Sequence, residues 1–346
     1  MRTILLTLAA LALAGTAARA QKIESPDVKI TLDWSFQGPQ SAFLYGAQLG
    51  EFSRRGINAV IDRGTGSSDV MVRVASGAYQ FGWADIATMV KFNAENPDKA
   101  LIAAYVTGGN SPLAIVTVAG RGITKPADLA GRTLGAAPGS AALALFDAFA
   151  ASAGFDASTV HWKLLGGALR EPMMVRGEVD AIAGFTTSSI MSVVALGVPL
   201  NHIVTLRYND YGVRQYGTAF VLRPEYARAN PNTTRAVIAA LNAAQKDAIA
   251  NPAASVEAIR ARDPLVDVKT ECARLVEGLQ TLTLTEEFKT KGISSIDPKR
   301  MQESIGELLK AFKLTNPVPL DSVYTAAWLP PEAERIPPGL GSCAAN

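Results

Sequence analysis

The chain is 346 residues long and 48% apolar, with 33 basic and 31 acidic residues and a formal net charge of +2. That length suits about two domains of ordinary size, and the apolar fraction can fill their cores. The balanced charge, with no basic stripe, excludes the electrostatic footprint of a nucleic-acid binder.

Residues 1–20 read as a cleavable secretory leader. Arg2 gives the positive start, Ile4 to Ala14 an apolar stretch broken only by Thr7, and Ala18-Arg19-Ala20 a small-x-small cleavage site before Gln21. The apolar stretch is shorter than the roughly 20 residues of a membrane span, which argues against an anchor. Leu13-Ala14-Gly15-Thr16 lacks the cysteine of a lipoprotein signal, so no lipid anchor is expected. The leader carries Arg2 and Arg19 and no acid, so its removal leaves a formally neutral chain.

Behind the leader, short apolar strands alternate with amphipathic helices. Strands are expected at 28–32, 57–62, 79–84 and 101–106. Between them lie helices at 41–55, closed by Gly56, at 67–75, stopped at Gly77, and at 86–93. Such alternation predicts a parallel sheet with crossover helices. The strand at 113–118 leaves this unit. A second unit follows, with strands at 133–137, 160–165, 181–184 and 203–208 and helices at 128–131, 141–153, 171–176 and 188–196. A strand at 218–222 returns to the first unit. Beyond Pro224 the periodicity is helical, over 232–249, 254–260, 270–282 and 298–312. The pattern predicts two α/β lobes joined by two crossings: 21–112 with 217–346 as one, 113–216 as the other. A ligand is expected in the cleft, where strand ends and helix starts converge.

Candidate binding residues lie at those strand ends. Asp33 and Trp34 follow the first strand and lead into a polar loop with Gln37. A ring beside an acid is a stacking platform with a hydrogen-bonding partner, or else a packing tryptophan and a capping acid. Gly66 and Ser67 open a helix whose free N–H groups favour an anion, or form an ordinary capped turn. Trp83 and Asp85 repeat the ring-and-acid pair, with Asp85 as ligand contact or N-cap. In the second unit, Gly139-Ser140 and Phe185-Thr186 offer amides and hydroxyls at helix starts, and Asp210-Tyr211 lies at the return crossing as hinge or wall. Arg170, Arg176 and Arg214 could add positive charge for an anion, but are expected at the surface.

No catalytic or metal-ligand constellation is visible. His161 and His202 stand near strand starts, away from the expected cleft, and Ser140 has no evident base. No cofactor is expected. Cys272 and Cys343 fit no metal or redox spacing. In an oxidising compartment they are expected to pair, the alternative being two unpaired thiols.

Several segments in order resemble the bacterial solute-binding proteins related to thiamine-pyrimidine, sulfonate and nitrate importers. They include Leu32-Asp33-Trp34, Arg55-Gly56-Ile57, Gly64-Thr65-Gly66-Ser67, Phe81-Gly82-Trp83-Ala84-Asp85, Pro126-Ala127-Asp128-Leu129 and Gly177-Glu178-Val179-Asp180-Ala181. The resemblance implies a type II periplasmic binding protein fold, periplasmic location, and a monomer that delivers a small molecule to an inner-membrane ABC permease and its ATPase. It implies ligand contacts at Asp33, Trp34, Gly66, Ser67, Trp83, Asp85, Gly139 and Ser140. Gln40 stands where many relatives carry a histidine. The rings and acids favour a nitrogen-bearing heterocycle such as an aminopyrimidine, and the Ser/Thr-rich helix starts leave an organic sulfonate or carboxylate open. A pyrimidine-forming enzyme on the same fold and a ligand-presenting sensor are the alternative functions.

Overall fold

The computed structural model describes residues 22–344, so the leader expected over 1–20 lies outside the described residues. Two five-stranded α/β sheets form the molecule. The first takes β1 (Asp27–Thr31), β2 (Asn58–Asp62), β3 (Phe81–Asp85) and β4 (Ile102–Val106), with α1 (Gly38–Gln48), α2 (Ser67–Ala75) and α3 (Ile86–Glu95). The second takes β5 (Leu113–Val118), β6 (Thr133–Ala136), β7 (His161–Leu164), β8 (Ala181–Phe185) and β9 (Ile203–Arg207). Its helices are α4 (Ala141–Ala144), α5 (Phe146–Ala153), α6 (Arg170–Arg176) and α7 (Thr186–Ala195). β10 (Thr218–Leu222) returns to the first sheet. Then come α8 (Pro224–Ala229), α9 (Pro231–Ala250), α10 (Pro252–Arg260), α11 (Val268–Gly278), α12 (Glu286–Lys291) and α13 (Pro298–Ala311).

Strand order is β2-β1-β3-β10-β4 in one sheet and β7-β6-β8-β5-β9 in the other. β10 runs antiparallel to β3 and β4, and β5 runs antiparallel to β8 and β9. The reason is topological. The chain leaves one sheet at a strand's carboxyl end and enters the other at the same side, so each arriving strand runs against its neighbours. The carboxyl ends of the remaining strands therefore face one cleft, as in a two-lobed type II periplasmic binding protein fold.

The two crossings lie side by side. Gly217 N–H donates to Gly108 O at 2.8 Å, and the N–H groups of Thr107 and Gly108 both donate to Thr218 O, at 2.9 and 3.1 Å. A Cβ on Gly108 would sit 3.0 Å from the Thr218 nitrogen, so a side chain there would push the paired crossings apart.

β3 and β10 are buried at every residue, as expected of central strands covered on both faces, and the edge strand β4 is equally buried, with Tyr324 bridging to Ala103 on its outer side. β5 alternates between two cores: Leu113 and Ile115 join the main one, while Ala114 and Val116 pack with Leu165, Met174, Ile182 and Val193. Three expected helices are interrupted. The helix over 41–55 ends at Gln48, where Gly50 turns left-handed (φ 78°), and resumes as a 3-10 turn at Ser53–Arg55. The helix over 141–153 breaks at Leu145 into α4 and α5. The helix over 270–282 ends as α11 followed by a π turn at Leu279–Thr283. The sulfurs of Cys272, on α11, and Cys343 are bonded, with a Cα–Cα distance of 5.8 Å.

Candidate functional site

Two inner cavities and one outer cavity lie where the strand ends of both sheets meet. One inner cavity, of about 50 Å³, is walled by Gln40, Trp83, Thr107, Thr218 and Phe185, with Leu275, Leu279 and Thr283 closing one side. The other, of about 20 Å³, is walled by Asp33, Trp34, Ser67, Ser140, Arg170 and Phe185. Phe185 is common to both. The outer cavity, of about 390 Å³, shares Trp34, Arg170 and Ser188 with the smaller inner one.

Asp33 ends the run begun by β1 and is 3% exposed. Its Oδ1 accepts from Gln40 Nε2 at 3.0 Å, while Gln40 Oε1 accepts from Gln37 N–H at 3.3 Å. The amide thus pins the carboxylate from the first turn of α1. Loss of water on burial pushes the Asp33 carboxyl up to about 7, with the Asp85 charge adding and the Gln40 donor opposing. No cation among the described residues contributes to that balance.

Trp83 is a fixed wall. Its Nε1 donates to Thr107 Oγ1 at 2.8 Å, and its ring meets Phe43 edge-on at 5.2 Å. Ser67 Oγ accepts from Asp85 N–H at 3.2 Å, which fixes the start of α2 to the end of β3. Ser140 caps α4 through Leu143 N–H, at 3.4 Å.

The structure therefore brings Asp33, Trp34, Gln40, Gly66, Ser67, Trp83, Ser140 and Phe185 to the inner walls. Six other candidates are placed elsewhere. Asp85 is the N-cap of α3: its Oδ1 accepts from Thr88 N–H at 2.8 Å and from Thr88 Oγ1 at 3.0 Å, and its Oδ2 is buried without a partner. Burial pushes its carboxyl up to about 7 against those donors. Gln37 faces the outer cavity. The Gly139 carbonyl accepts from Ser68 N–H across the cleft at 3.1 Å. Thr186 is fully buried behind the wall, its Oγ1 unpartnered. Asp210 is exposed, and Tyr211 packs edge-on against Phe149 at 5.8 Å, because the return crossing coils into a 3-10 turn at Tyr208–Tyr211 that faces α5. His161 and His202 are exposed at strand starts.

Arg170 corrects a surface expectation. It is 2% exposed, with Nη1 donating to Ala183 O at 2.8 Å and Nη2 to Glu171 Oε1 at 3.1 Å. Its guanidinium lies 5.0 Å from the Trp34 ring centroid, a cation–π contact between the lobes. Arg176 and Arg214 are exposed.

α11 supplies what the sequence reading did not assign. Arg274, 2% exposed, donates Nη1 to Thr187 O at 2.8 Å and to Ser188 O, and Nη2 to Ser192 Oγ at 3.1 Å, all on α7. Its Nε donates to Glu271 Oε2 at 2.8 Å, which also accepts from Gly38 N–H at 2.7 Å. One helix thus ties α1 to the second sheet. A charged i, i+3 pair beside Cys272 and Leu275 on the apolar face was the available signal.

Among the described residues no cluster of His, Cys, Asp and Glu is placed to hold a metal ion, and no helix is long and apolar enough to cross a membrane. The family model described as NMT1/THI5 like matches residues 39–255. No curated protein matches the sequence. Solved structures share the fold. A Bordetella bronchiseptica protein is 20% identical over 89% of this chain and 97% of its own, with a TM-score of 0.71. The alkanesulfonate-binding protein SsuA of Xanthomonas axonopodis pv. citri, bound to MOPS, is 17% identical over 89% and 99%, with a TM-score of 0.65. The periplasmic nitrate-binding protein NrtA of Synechocystis PCC 6803 is 11% identical over 88% of each chain, with a TM-score of 0.67.

Proposed function

Because this chain belongs to the NMT1/THI5-like family, we propose that it is an exported, periplasmic solute receptor that serves the permease of an ABC importer. Residues 22–112 with 217–344 form one lobe and 113–216 the other, hinged at the paired crossings around Gly108 and Gly217. The receptor binds its solute without converting it. The alkanesulfonate- and nitrate-binding proteins of the same fold support the transport role.

The observation that carries the ligand class is Asp33, a buried carboxyl on the inner wall whose only side-chain donor among the described residues is Gln40. A ligand N–H group supplies the missing donor, as an amino-substituted nitrogen heterocycle does beside the ring of Phe185, which lines the same cavity. An anion about 5 Å from an ionised Asp33 is repelled by about 3 kcal/mol at an effective dielectric constant of about 20. A second reading rests on Arg170, Ser67 and Ser140 in the same cavity: an organic sulfonate or carboxylate, with Asp33 protonated and donating to it.

Calorimetric titration with 4-amino-2-methylpyrimidine and with ethanesulfonate, at pH 6 and pH 8, separates the two. The donor ligand binds more tightly as pH rises and Asp33 ionises, and Asp33→Asn weakens it by about tenfold or more. Tighter ethanesulfonate binding that falls with pH and survives Asp33→Asn overturns the heterocycle reading. Turnover of a bound compound overturns the receptor reading.

A further inference from the structure

We propose that Trp34 is the gate of the cleft, and that Gly167 and Arg170 of the opposite lobe are its seat. The inference rests on the cleft being a ligand site, but its geometry stands apart from which ligand is held.

Trp34 belongs to the loop after β1, in the first lobe. Its ring reaches across to the turn that precedes α6, in the second. There the Arg170 guanidinium covers the ring at 5.0 Å, and Arg170 is itself clamped by Ala183 O at 2.8 Å, Gly167 O at 3.4 Å and Glu171 Oε1 at 3.1 Å. Glu171 Oε1 is held in turn by Ser189 Oγ at 2.8 Å. A guanidinium anchored on three sides is a fixed surface for the ring to land on.

Gly167 completes the seat. A Cβ at that position would lie 2.6 Å from Trp34 Cζ2 and 2.9 Å from Cη2, inside any allowed contact. Its φ is not left-handed, so the backbone would accept alanine, and only the ring forbids it. Gly166 next door differs: a Cβ there would meet only Leu169 Cδ1, at 3.9 Å.

The same two side chains, together with Ser188, bound both the small inner cavity and the open outer one. They are the partition between them. A solute moving from the outer cavity to the inner walls must pass where the Trp34 ring rests on Arg170, so exchange requires the ring to leave its seat. Trp34 then acts by controlling closure and exchange, with one of its faces already taken by the cation.

The test reads lobe separation directly. Spin labels on Val60→Cys and Leu164→Cys, 52% and 59% exposed on β2 and β7, report the distance between lobes, and the native cysteines are bonded to each other. Gly167→Ala is expected to lengthen that distance, Gly166→Ala to leave it at the wild-type value, and Trp34→Ala with Gly167→Ala to restore it. A wild-type distance in Gly167→Ala, or a double variant that stays as long as Gly167→Ala, overturns the gate. If Gly167→Ala does not fold, Trp34→Ala serves in a background with Trp162→Phe and Trp328→Phe. Acrylamide quenching of Trp83, 6% exposed on the inner wall, should then rise, and unchanged quenching overturns the gate. Failure of every solute to bind would sink the receptor reading and leave these distances interpretable.

Discussion

Stability should fall as pH rises from 5 to 7, opposite to ordinary acid denaturation. Asp33 and Asp85 are both fully buried, and burial pushes each carboxyl from 3.8 to about 7. In the unfolded chain both are ionised by pH 5, whereas the folded protein keeps them protonated until about pH 7. The folded state therefore binds more protons across this window. A raised carboxyl contributes stability that is present below its unfolded value and is lost as pH climbs through its folded value. At 1.36 kcal/mol per unit, and with each group already half ionised at pH 7, the window removes about 2 kcal/mol per group. The carboxyls held low, Glu24, Asp128, Asp156 and Asp267, change protonation below this window, so they do not mask it. Urea unfolding at pH 5, 6, 7 and 8 in ligand-free protein measures the slope. Burial also pushes up Asp247, Glu277 and Glu307, so Asp85→Asn, which keeps an acceptor for Thr88 N–H and removes one titrating group, should make the slope shallower without abolishing it and stabilise the protein at pH 8. A flat or rising profile in the wild type, or an unchanged slope in Asp85→Asn, refutes the reasoning.

Two further perturbations address the α11 scaffold. Cys343→Ser opens a crosslink spanning 71 residues, which the chain-entropy account values at about 4 kcal/mol. Scanning calorimetry should show a lower midpoint that no longer responds to reductant, and a wild type insensitive to reductant would contradict this. Arg274→Ala leaves Glu271 buried without its cation and should cost about 3–5 kcal/mol, whereas Arg274→Ala with Glu271→Ala should cost less than the two singles together. Denaturant unfolding of the cycle checks it, and strict additivity would argue against the pair.

Local pattern made the architecture legible. Short apolar runs and Gly-stopped helices placed β5, β10 and α2 at their observed bounds, and gave the two crossings from which the antiparallel strands follow. The turns after β1 and β3 were also readable, because an acid and a ring at a strand's carboxyl end stand out in apolar sequence. Which of those acids faces the cavity was not. Asp33 and Asp85 each stand beside a ring near a strand's carboxyl end, and of the two readings open for Asp85 the start of α3, with Thr88 three residues on, makes it a cap.

The order of elements, and the side of the sheets on which a site must lie, are written in the sequence, since backbone periodicity and loop chemistry are local. Tertiary structure alone decided that Arg170 is buried over Trp34, that α11 closes the inner cavity, and that Arg274 grips α7. Each of these joins residues far apart in the chain, across a cleft whose closure is set by packing between lobes, and no spacing within one segment encodes it.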